Sequence, residues 1–367
     1  MLSSIALPLG ISFYTFQQIA FLVDNYRGEI PAYTFSDYTL FTVFFPKFVQ
    51  GPIPYGKELI PQFNDSAKKK FSSDNFAKGL MIFSIGLGKK VLLADNFGKI
   101  VDYGFKALHS LNSFEALLTV LAYTLQIYLD FSGYCDMAVG VAQMLNIELP
   151  QNFNSPYKAR SISEFWKRWH ITLTRFLTKY IYIPLGGNRK GTLRTYVNIL
   201  IVYLVSGMWH GVGLTFIVWG LMHGAATVFY RATKKRYDRI PHVLQWMLTF
   251  CFVSIAWVFF RAPDVLSAVN LLKQVVLGGW SFSINAELTE TLLMPTLISI
   301  PSQVIPFVYV MIALFVGTMI CCIRCKNSVQ IAEKFRPTVP SLLLVYFLLV
   351  FGMLSLSGVG AFLYTNF

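Results

Sequence analysis

Long apolar segments separated by shorter polar loops run along the whole chain. A helix needs about 20 mostly apolar residues to cross the hydrocarbon core of a bilayer, and several segments meet that length. The pattern predicts an all-α, polytopic integral membrane protein whose residues 1–367 form a single membrane-embedded domain. The predicted segments are 3–22, 36–50, 77–98, 115–146, 194–209, 212–231, 243–261, 305–322 and 340–360.

Two stretches depart from the pattern of a simple crossing. Segment 36–50 is short and dense in Phe and Pro, which predicts a re-entrant or broken helix shielded by protein or water. Residues 161–180 open with the capping-box pair Ser161 and Glu164 and then alternate aromatic with basic residues at helical spacing. We predict that 161–180 is an amphipathic helix lying at the cytoplasmic interface of the membrane.

Loop charge predicts the orientation of the chain. Residues 154–194 carry nine Lys or Arg and one acid, 231–239 carry five and one, and 324–336 carry four and one. Residues 262–304 carry one Lys and three acids. By the positive-inside rule the first three regions are cytoplasmic and the fourth lies outside. The net charge of +13 is explained by these loops, so we expect lipid and not nucleic acid as a partner.

Segments 194–209 and 212–231 both have basic outer flanks, which predicts a hairpin, 194–231, with both ends in the cytoplasm. Sixteen helical residues rise about 24 Å. The hairpin would therefore carry its tip, with His210 beside Trp209, deep into the membrane.

His210 is the sharpest candidate for chemistry. An ionisable residue at membrane depth indicates function by default, and a neutral imidazole is the usual general base near neutral pH. The alternative is a hydrogen-bonded histidine that only packs the hairpin tip. His170, near the edge of the aromatic stripe of 161–180, could face a cavity or the lipid headgroups. We assign no role to His109, His223 and His242.

Charged residues also interrupt segments 77–98 and 115–146. Asp130 follows Tyr128 in an apolar stretch, so it could orient a histidine, bind a hydroxyl or cap a broken helix. Lys89 and Lys90 have no evident place in a straight crossing. The sequence contains no phosphate-binding Gly-rich loop, no HExxH and no Gly-x-Ser-x-Gly, which excludes ATP-driven and soluble-hydrolase functions.

Several ordered motifs resemble those of the membrane-bound O-acyltransferases, with the bacterial alginate O-acetylation branch as the most similar one. The resemblance covers nearly the whole chain. The motifs are PLGISFYTF (8–16), QIYLDFSGY (126–134), NSPY (154–157), FWKRWH (165–170), YIPLGGNR (182–189), MWHG (208–211) and WVFFR (257–261).

The resemblance implies a multi-helix fold enclosing a tunnel or funnel in a bacterial cytoplasmic membrane. It implies transfer of an acetyl group from a cytoplasmic thioester, acetyl-CoA, to an extracytoplasmic polysaccharide such as alginate, with a separate extracytoplasmic acetyltransferase as partner. No bound cofactor or metal is expected. The family's essential histidine falls on His210 and its second histidine on His170. The residues expected to bind substrate are Tyr128, Asp130, Asn154, Trp169 and Trp209.

Three further expectations go with the resemblance. Family members usually carry additional membrane helices before the motif that begins here at Pro8, so we expect this chain to lack them. D-alanyl transfer to teichoic acid, the activity of a sister branch, is an alternative, although the YIPLGGNR motif favours the alginate branch. A transporter or inactive scaffold for polysaccharide export is a second alternative, which the absence of repeat-related broken helices disfavours.

Overall fold

The computed structural model describes residues 10–282, 284–285, 287–288 and 307–356, and within these ranges every regular element is helical. The predicted all-α class is confirmed for that part of the chain. The α-helices are α1 Ile11–Tyr26, α2 Phe35–Val43, α3 Gly56–Asn64, α4 Ser73–Leu87, α5 Asp95–Lys106, α6 Ser113–Met144, α7 Ile162–Trp166, α8 Ile171–Leu177, α9 Thr192–His210, α10 Leu214–Tyr237, α11 His242–Arg261, α12 Val265–Leu277, α13 Phe307–Arg324, α14 Ser328–Glu333 and α15 Val339–Leu354.

Each predicted apolar segment corresponds to helical structure where the chain is described. Segment 36–50 is broken as predicted, into α2 and a 3-10 turn at Phe45–Lys47. Among the described helices, α6 and α11 are long and apolar enough to cross a membrane by themselves, and three shorter apolar helices are Val265–Leu277, Met311–Arg324 and Val339–Leu354. Residues 3–9, 305–306 and 357–360 of the predicted segments lie outside the described residues.

Helix α12 was not predicted, because 262–304 was interpreted as an outside loop. Asp264 caps its N-terminus by accepting a hydrogen bond from the Ser267 N–H at 2.8 Å. The acidic residues used to assign 262–304 to the outside therefore include one whose local task is helix capping.

The central element is α6, whose 32 residues span about 48 Å and are mostly buried. A capping box begins it: the Glu115 N–H donates to Asn112 Oδ1 at 3.0 Å, and the Asn112 N–H donates to Glu115 Oε2 at 3.1 Å. Two of the N–H groups at the helix start are satisfied in this way, so α6 begins sharply at Ser113.

Helix α4 crosses α6 at backbone contact through two glycine pairs. A Cβ at Gly79 would lie 2.5 Å from the Gly140 carbonyl oxygen, and a Cβ at Gly86 would lie 2.6 Å from the Gly133 carbonyl oxygen. Any larger residue would force the helices apart. Membrane helices pack through small residues in this way, since lipid provides no hydrophobic drive to associate.

Two interior ion pairs account for the lysines that the sequence could not place. After α4 the chain forms a π-helical turn, Gly88–Ala94, that turns both lysines toward α6. Lys90 Nζ lies 2.7 Å from Asp130 Oδ1, and Lys89 Nζ lies 2.6 Å from Asp136 Oδ2. Asp130 is thus held by a lysine of the neighbouring helix, and its helix is not broken there.

Both ion pairs are tied to further groups. Asp95 Oδ1 lies 2.8 Å from Lys90 Nζ, so this ammonium bridges two carboxylates. Ser328 Oγ, at the start of α14, donates to Asp136 Oδ1 at 2.5 Å. The interior charges therefore join α4, α6 and the C-terminal part of the chain.

The prediction of one continuous amphipathic helix over 161–180 is wrong. The stretch forms two short helices, α7 and α8, separated by a turn over residues 167–170. His170, with a left-handed φ of 43°, is the N-cap of α8, and a π-helical turn, Thr178–Tyr182, follows that helix. Its aromatic stripe faces the protein core: Phe165 and Trp169 are each 1% exposed. A left-handed residue ends a helix, and periodicity alone does not reveal it.

Replacing Lys90 with Met should lower the free energy of unfolding in mixed micelles by about 3–5 kcal/mol, because Asp130 and Asp95 lose their shared counter-ion in the interior. Lys68→Met is the matched control. It breaks the more exposed pair with Glu148, at 2.6 Å, and should cost less than about 1 kcal/mol. Equal costs for the two variants would contradict a structural role for the buried pair.

Candidate functional site

The hairpin predicted to carry His210 is present, formed by α9 and α10 with three residues between them. The two helices meet closely at Gly207 and Gly220: a Cβ at Gly207 would lie 2.4 Å from the Phe216 carbonyl oxygen, and one at Gly220 would lie 2.5 Å from the Tyr203 carbonyl oxygen. This contact seats the last turn of α9, which ends at His210, against the first turns of α10.

His210 lies in an aromatic enclosure. Its side chain is buried, and its ring centroid is 4.6 Å from that of Trp209, 5.2 Å from Trp219 and 5.0 Å from Phe260. The walls come from α9, α10 and α11, so three helices that are sequential in the chain build one pocket around the imidazole. The depth of this residue in a bilayer stays a prediction.

His170 lies at the break between α7 and α8 and is 1% exposed. Its ring stacks on Phe13 at 6.0 Å and meets the edge of Phe131 at 4.9 Å. A left-handed conformation at a non-glycine residue is unfavourable and is found where function or packing demands it. Of the two alternatives for this residue, the structure excludes exposure to lipid headgroups.

Trp209 joins the two histidines. Its ring centroid is 4.6 Å from that of His210 and 6.3 Å from that of His170. Phe16 stacks on Trp209 at 4.9 Å, and Phe13 meets it edge-on at 5.5 Å. The two histidines, 40 residues apart in sequence, therefore share one aromatic cluster.

Trp169 and Tyr128, expected to bind substrate, lie in the aromatic core next to this cluster. Trp169 packs against Trp257 at 4.8 Å and Tyr128 at 6.2 Å. Phe153 contacts Trp169 at 5.0 Å and Phe131 at 5.0 Å, and so connects this core to the wall of His170. Substrate contact by Trp169 and Tyr128 stays a prediction.

Asn154 supports a loop in the structure. Its backbone N–H donates to the Arg168 carbonyl oxygen at 2.9 Å, and its Oδ1 accepts from Asn327 Nδ2 at 3.0 Å. The amide that contacts His170 is two residues earlier: Asn152 Oδ1 lies 3.1 Å from His170 Nδ1. Substrate contact by Asn154 stays a prediction, and no motif in the sequence singled out Asn152.

His223, to which the sequence analysis gave no role, is fully buried beside the site. Its Nδ1 accepts a hydrogen bond from Trp166 Nε1 at 3.2 Å, and its ring lies 5.0 Å from that of Trp219, which also walls His210. Trp219 and His223 are four residues apart and so share one helix face. The four-residue spacing of Trp219 and His223 was the sequence feature that could have indicated that His223 lies beside the site.

Most basic side chains around His170 are already in ion pairs. Arg168 pairs with Glu164 at 2.9 Å, and Arg175 pairs with Glu58 at 2.5 Å. Lys179 lies 2.6 Å from Asp24 Oδ1 and 2.6 Å from Glu29 Oε2. These charges brace the fold, so they are poor candidates for holding the phosphates of a donor. Within the described ranges, no group of three or more His, Cys, Asp or Glu side chains is placed to hold a metal ion.

Comparison with known proteins identifies the family of the chain. The model of MBOAT, the membrane-bound O-acyltransferase family, matches residues 11–269. The chain belongs to the membrane-bound O-acyltransferase family. The matched region contains both histidines of the cluster and all three helices around His210.

Relatives of this O-acyltransferase family member differ in the reactions for which they are named. The chain is 48% identical over 299 residues to the peptidoglycan O-acetyltransferase of Helicobacter pylori, and the match covers 74% of this chain and 57% of that protein. It is 42% identical over 286 residues to a Pseudomonas aeruginosa protein named "Probable alginate O-acetylase", covering 77% and 54%. The teichoic acid D-alanyltransferase of Bacillus subtilis is 24% identical over 271 residues, covering 69% and 68%. The chain thus spans just over half the length of the first two.

Replacing Gly207 with Ala should separate α9 from α10, because the added Cβ meets a backbone oxygen that cannot move aside. We expect a loss of about 1–3 kcal/mol in unfolding free energy. Gly317→Ala in α13 is the matched control. No atom of the described residues outside its own helix backbone lies within 4 Å of its Cβ position, so its stability should be unchanged or higher. Thermal unfolding in detergent measures both, and an unaltered melting temperature for Gly207→Ala would contradict the close contact.

Proposed function

We propose that this chain passes an acetyl group from a cytoplasmic thioester, acetyl-CoA, across a bacterial cytoplasmic membrane for O-acetylation of an extracytoplasmic polysaccharide. The observation that carries the proposal is the shared aromatic cluster of His210, Trp209 and His170, buried inside a member of the O-acyltransferase family. Two imidazoles in a dry aromatic enclosure are suited to proton transfer during acyl transfer.

His210 is the proposed general base. The hydroxyl oxygen of the acceptor, or of a relay group, attacks the thioester carbonyl carbon while its proton passes to the His210 imidazole. The C–S bond then breaks, the acetyl ester is formed, and the proton returns from His210 to the departing CoA thiolate. A positioned base of this kind contributes about 10²–10⁴-fold to the rate.

The enclosure itself supplies orientation. Rings from α1, α9, α10 and α11 surround the imidazoles, so a hydroxyl and a thioester that enter together have few arrangements available. Holding two reactants in a productive geometry converts a bimolecular step into an effectively unimolecular one. The tunnel or funnel through which donor and acceptor would meet is part of this proposal.

Acetyl transfer is favoured over D-alanyl transfer by the similarities. Identity is 48% and 42% to the relatives named for O-acetylation and 24% to the one named for D-alanyl transfer. The two O-acetylation relatives are named for different acceptors, peptidoglycan and alginate. The acceptor proposed here is therefore an extracytoplasmic polysaccharide of either class. A separate extracytoplasmic acetyltransferase is the proposed partner that completes the transfer.

His210→Ala should abolish O-acetylation in a deletion strain complemented with the full-length gene, while the protein still reaches the membrane. Ester-linked acetate is measured separately on peptidoglycan and on exopolysaccharide, so the same strains identify the acceptor. The exposed His109→Gln is the control and should retain acetylation. Retained acetylation in His210→Ala would contradict the proposed role of His210 as general base, and it would favour the transporter or scaffold alternative.

Donor specificity is tested with membranes from the expressing strain. Labelled acetyl-CoA should transfer its acetyl group to polysaccharide, and D-alanyl carrier protein should transfer nothing, because the similarities place the chain nearer the O-acetylation relatives. The His210→Ala membranes serve as the background for both donors. Incorporation of labelled D-alanine above that background would replace the proposed activity with aminoacyl transfer.

A further inference from the structure

The hydrogen bonds around Asn152 determine which atom of the His170 ring carries hydrogen. Asn152, His170 and Thr172 are each no more than 2% exposed, so their polar groups must be satisfied within the protein. All three belong to one network in which the direction of every bond can be worked out from its neighbours.

The orientation of the Asn152 amide follows from a backbone donor. The Thr172 N–H points at one terminal atom of this amide from 3.2 Å. A backbone N–H can only donate, so that atom is the carbonyl oxygen, Oδ1. The other terminal atom, Nδ2, is therefore a donor, and it lies 3.4 Å from Cys135 Sγ.

A second bond agrees with this assignment. Thr172 Oγ1 lies 2.9 Å from Asn152 Oδ1 and accepts the Ile53 backbone N–H at 3.1 Å. The threonine hydroxyl is thus free to donate to Oδ1. The same loop is closed by the Ile171 N–H, which donates to the Asn152 backbone oxygen at 2.9 Å.

The His170 tautomer follows directly. Asn152 Oδ1 can only accept, so His170 Nδ1, 3.1 Å away, must donate. In the neutral imidazole the other nitrogen, Nε2, then carries the lone pair. His170 Nε2 is buried and makes no hydrogen bond to any residue in the described part of the chain.

We propose that Asn152 is a positioning residue that holds His170 with hydrogen on Nδ1, leaving Nε2 as a hydrogen-bond acceptor for the hydroxyl-bearing substrate. The backbone supports this arrangement. Asn152 accepts hydrogen bonds from the N–H groups of Ile171 and Thr172, the two residues that follow His170, and His170 itself has a left-handed φ of 43°. The chemical consequence rests on the proposed function, while the tautomer does not.

The tautomer is measured by solid-state NMR of the full-length protein in lipid bilayers, with 15N-labelled histidine. The chain contains five histidines, and a His170→Gln difference spectrum identifies the signals of His170. The wild type should show a protonated Nδ1 and an unprotonated Nε2. Asn152→Ala should lose this preference. Cys135→Ala removes the partner of Nδ2 and a weak donation to the Gln50 carbonyl oxygen at 3.8 Å, and it should keep the preference.

Acetylation rates give the second measurement. Asn152→Ala should lower kcat by about 10–100-fold with little change in KM for acetyl-CoA, because the histidine is misoriented while the donor site is intact. Asn152→Asp retains an acceptor but adds a negative charge that favours the imidazolium. It should keep the tautomer and move the acidic limb of the pH–rate profile to higher pH.

The outcomes separate the two proposals. A wild-type His170 protonated at Nε2, an unchanged tautomer in Asn152→Ala, or equal effects of Asn152→Ala and Cys135→Ala would each overturn the positioning role. An unshifted pH profile in Asn152→Asp would overturn it as well. If His170→Gln acetylates normally while the wild-type tautomer is as expected, then the catalytic part of the proposed function fails and the hydrogen-bond assignment stands.

Discussion

The close crossing of α4 and α6 is the contact on which the interior depends. Glycine pairs bring the two backbones together, and the π-helical turn that follows α4 then delivers Lys89 and Lys90 to the carboxylates of α6. Without those lysines, Asp130 and Asp136 could not be buried at acceptable cost. Since α6 is the central helix, the positions of the helices packed on it depend on this contact.

The candidate site also depends on a few close contacts, because its buried polar groups are few and each needs a partner inside the protein. Asn152 joins the chain before α7 to the start of α8 and so fixes the ring of His170 at a helix break. The glycines of α9 and α10 seat His210 on the other side of Trp209. Rigid local contacts, made independently, thus bring two imidazoles into one aromatic cluster, and the acyl transfer proposed above would use this preorganisation.

Ion pairing limits what the basic residues can do. Arg168, Arg175 and Lys179, the positive charges near His170, are each bonded to carboxylates. Breaking a part-buried pair to bind a ligand costs free energy that the ligand must supply. The polar groups of the aromatic cluster itself include the two histidines and the Asn152 amide that contacts His170.

The sequence by itself determined the helical class, the approximate limits of several long helices and the hairpin with His210 at its tip, because apolar spacing and basic flanks are local signals along the chain. It also contained the family motifs around both histidines. Only the tertiary structure decided that Lys90 meets Asp130, that the helix in 161–180 is broken before His170, and that Asn152 contacts that ring. These outcomes rest on pairings between residues 18–40 positions apart, and no local periodicity encodes which buried polar groups will meet.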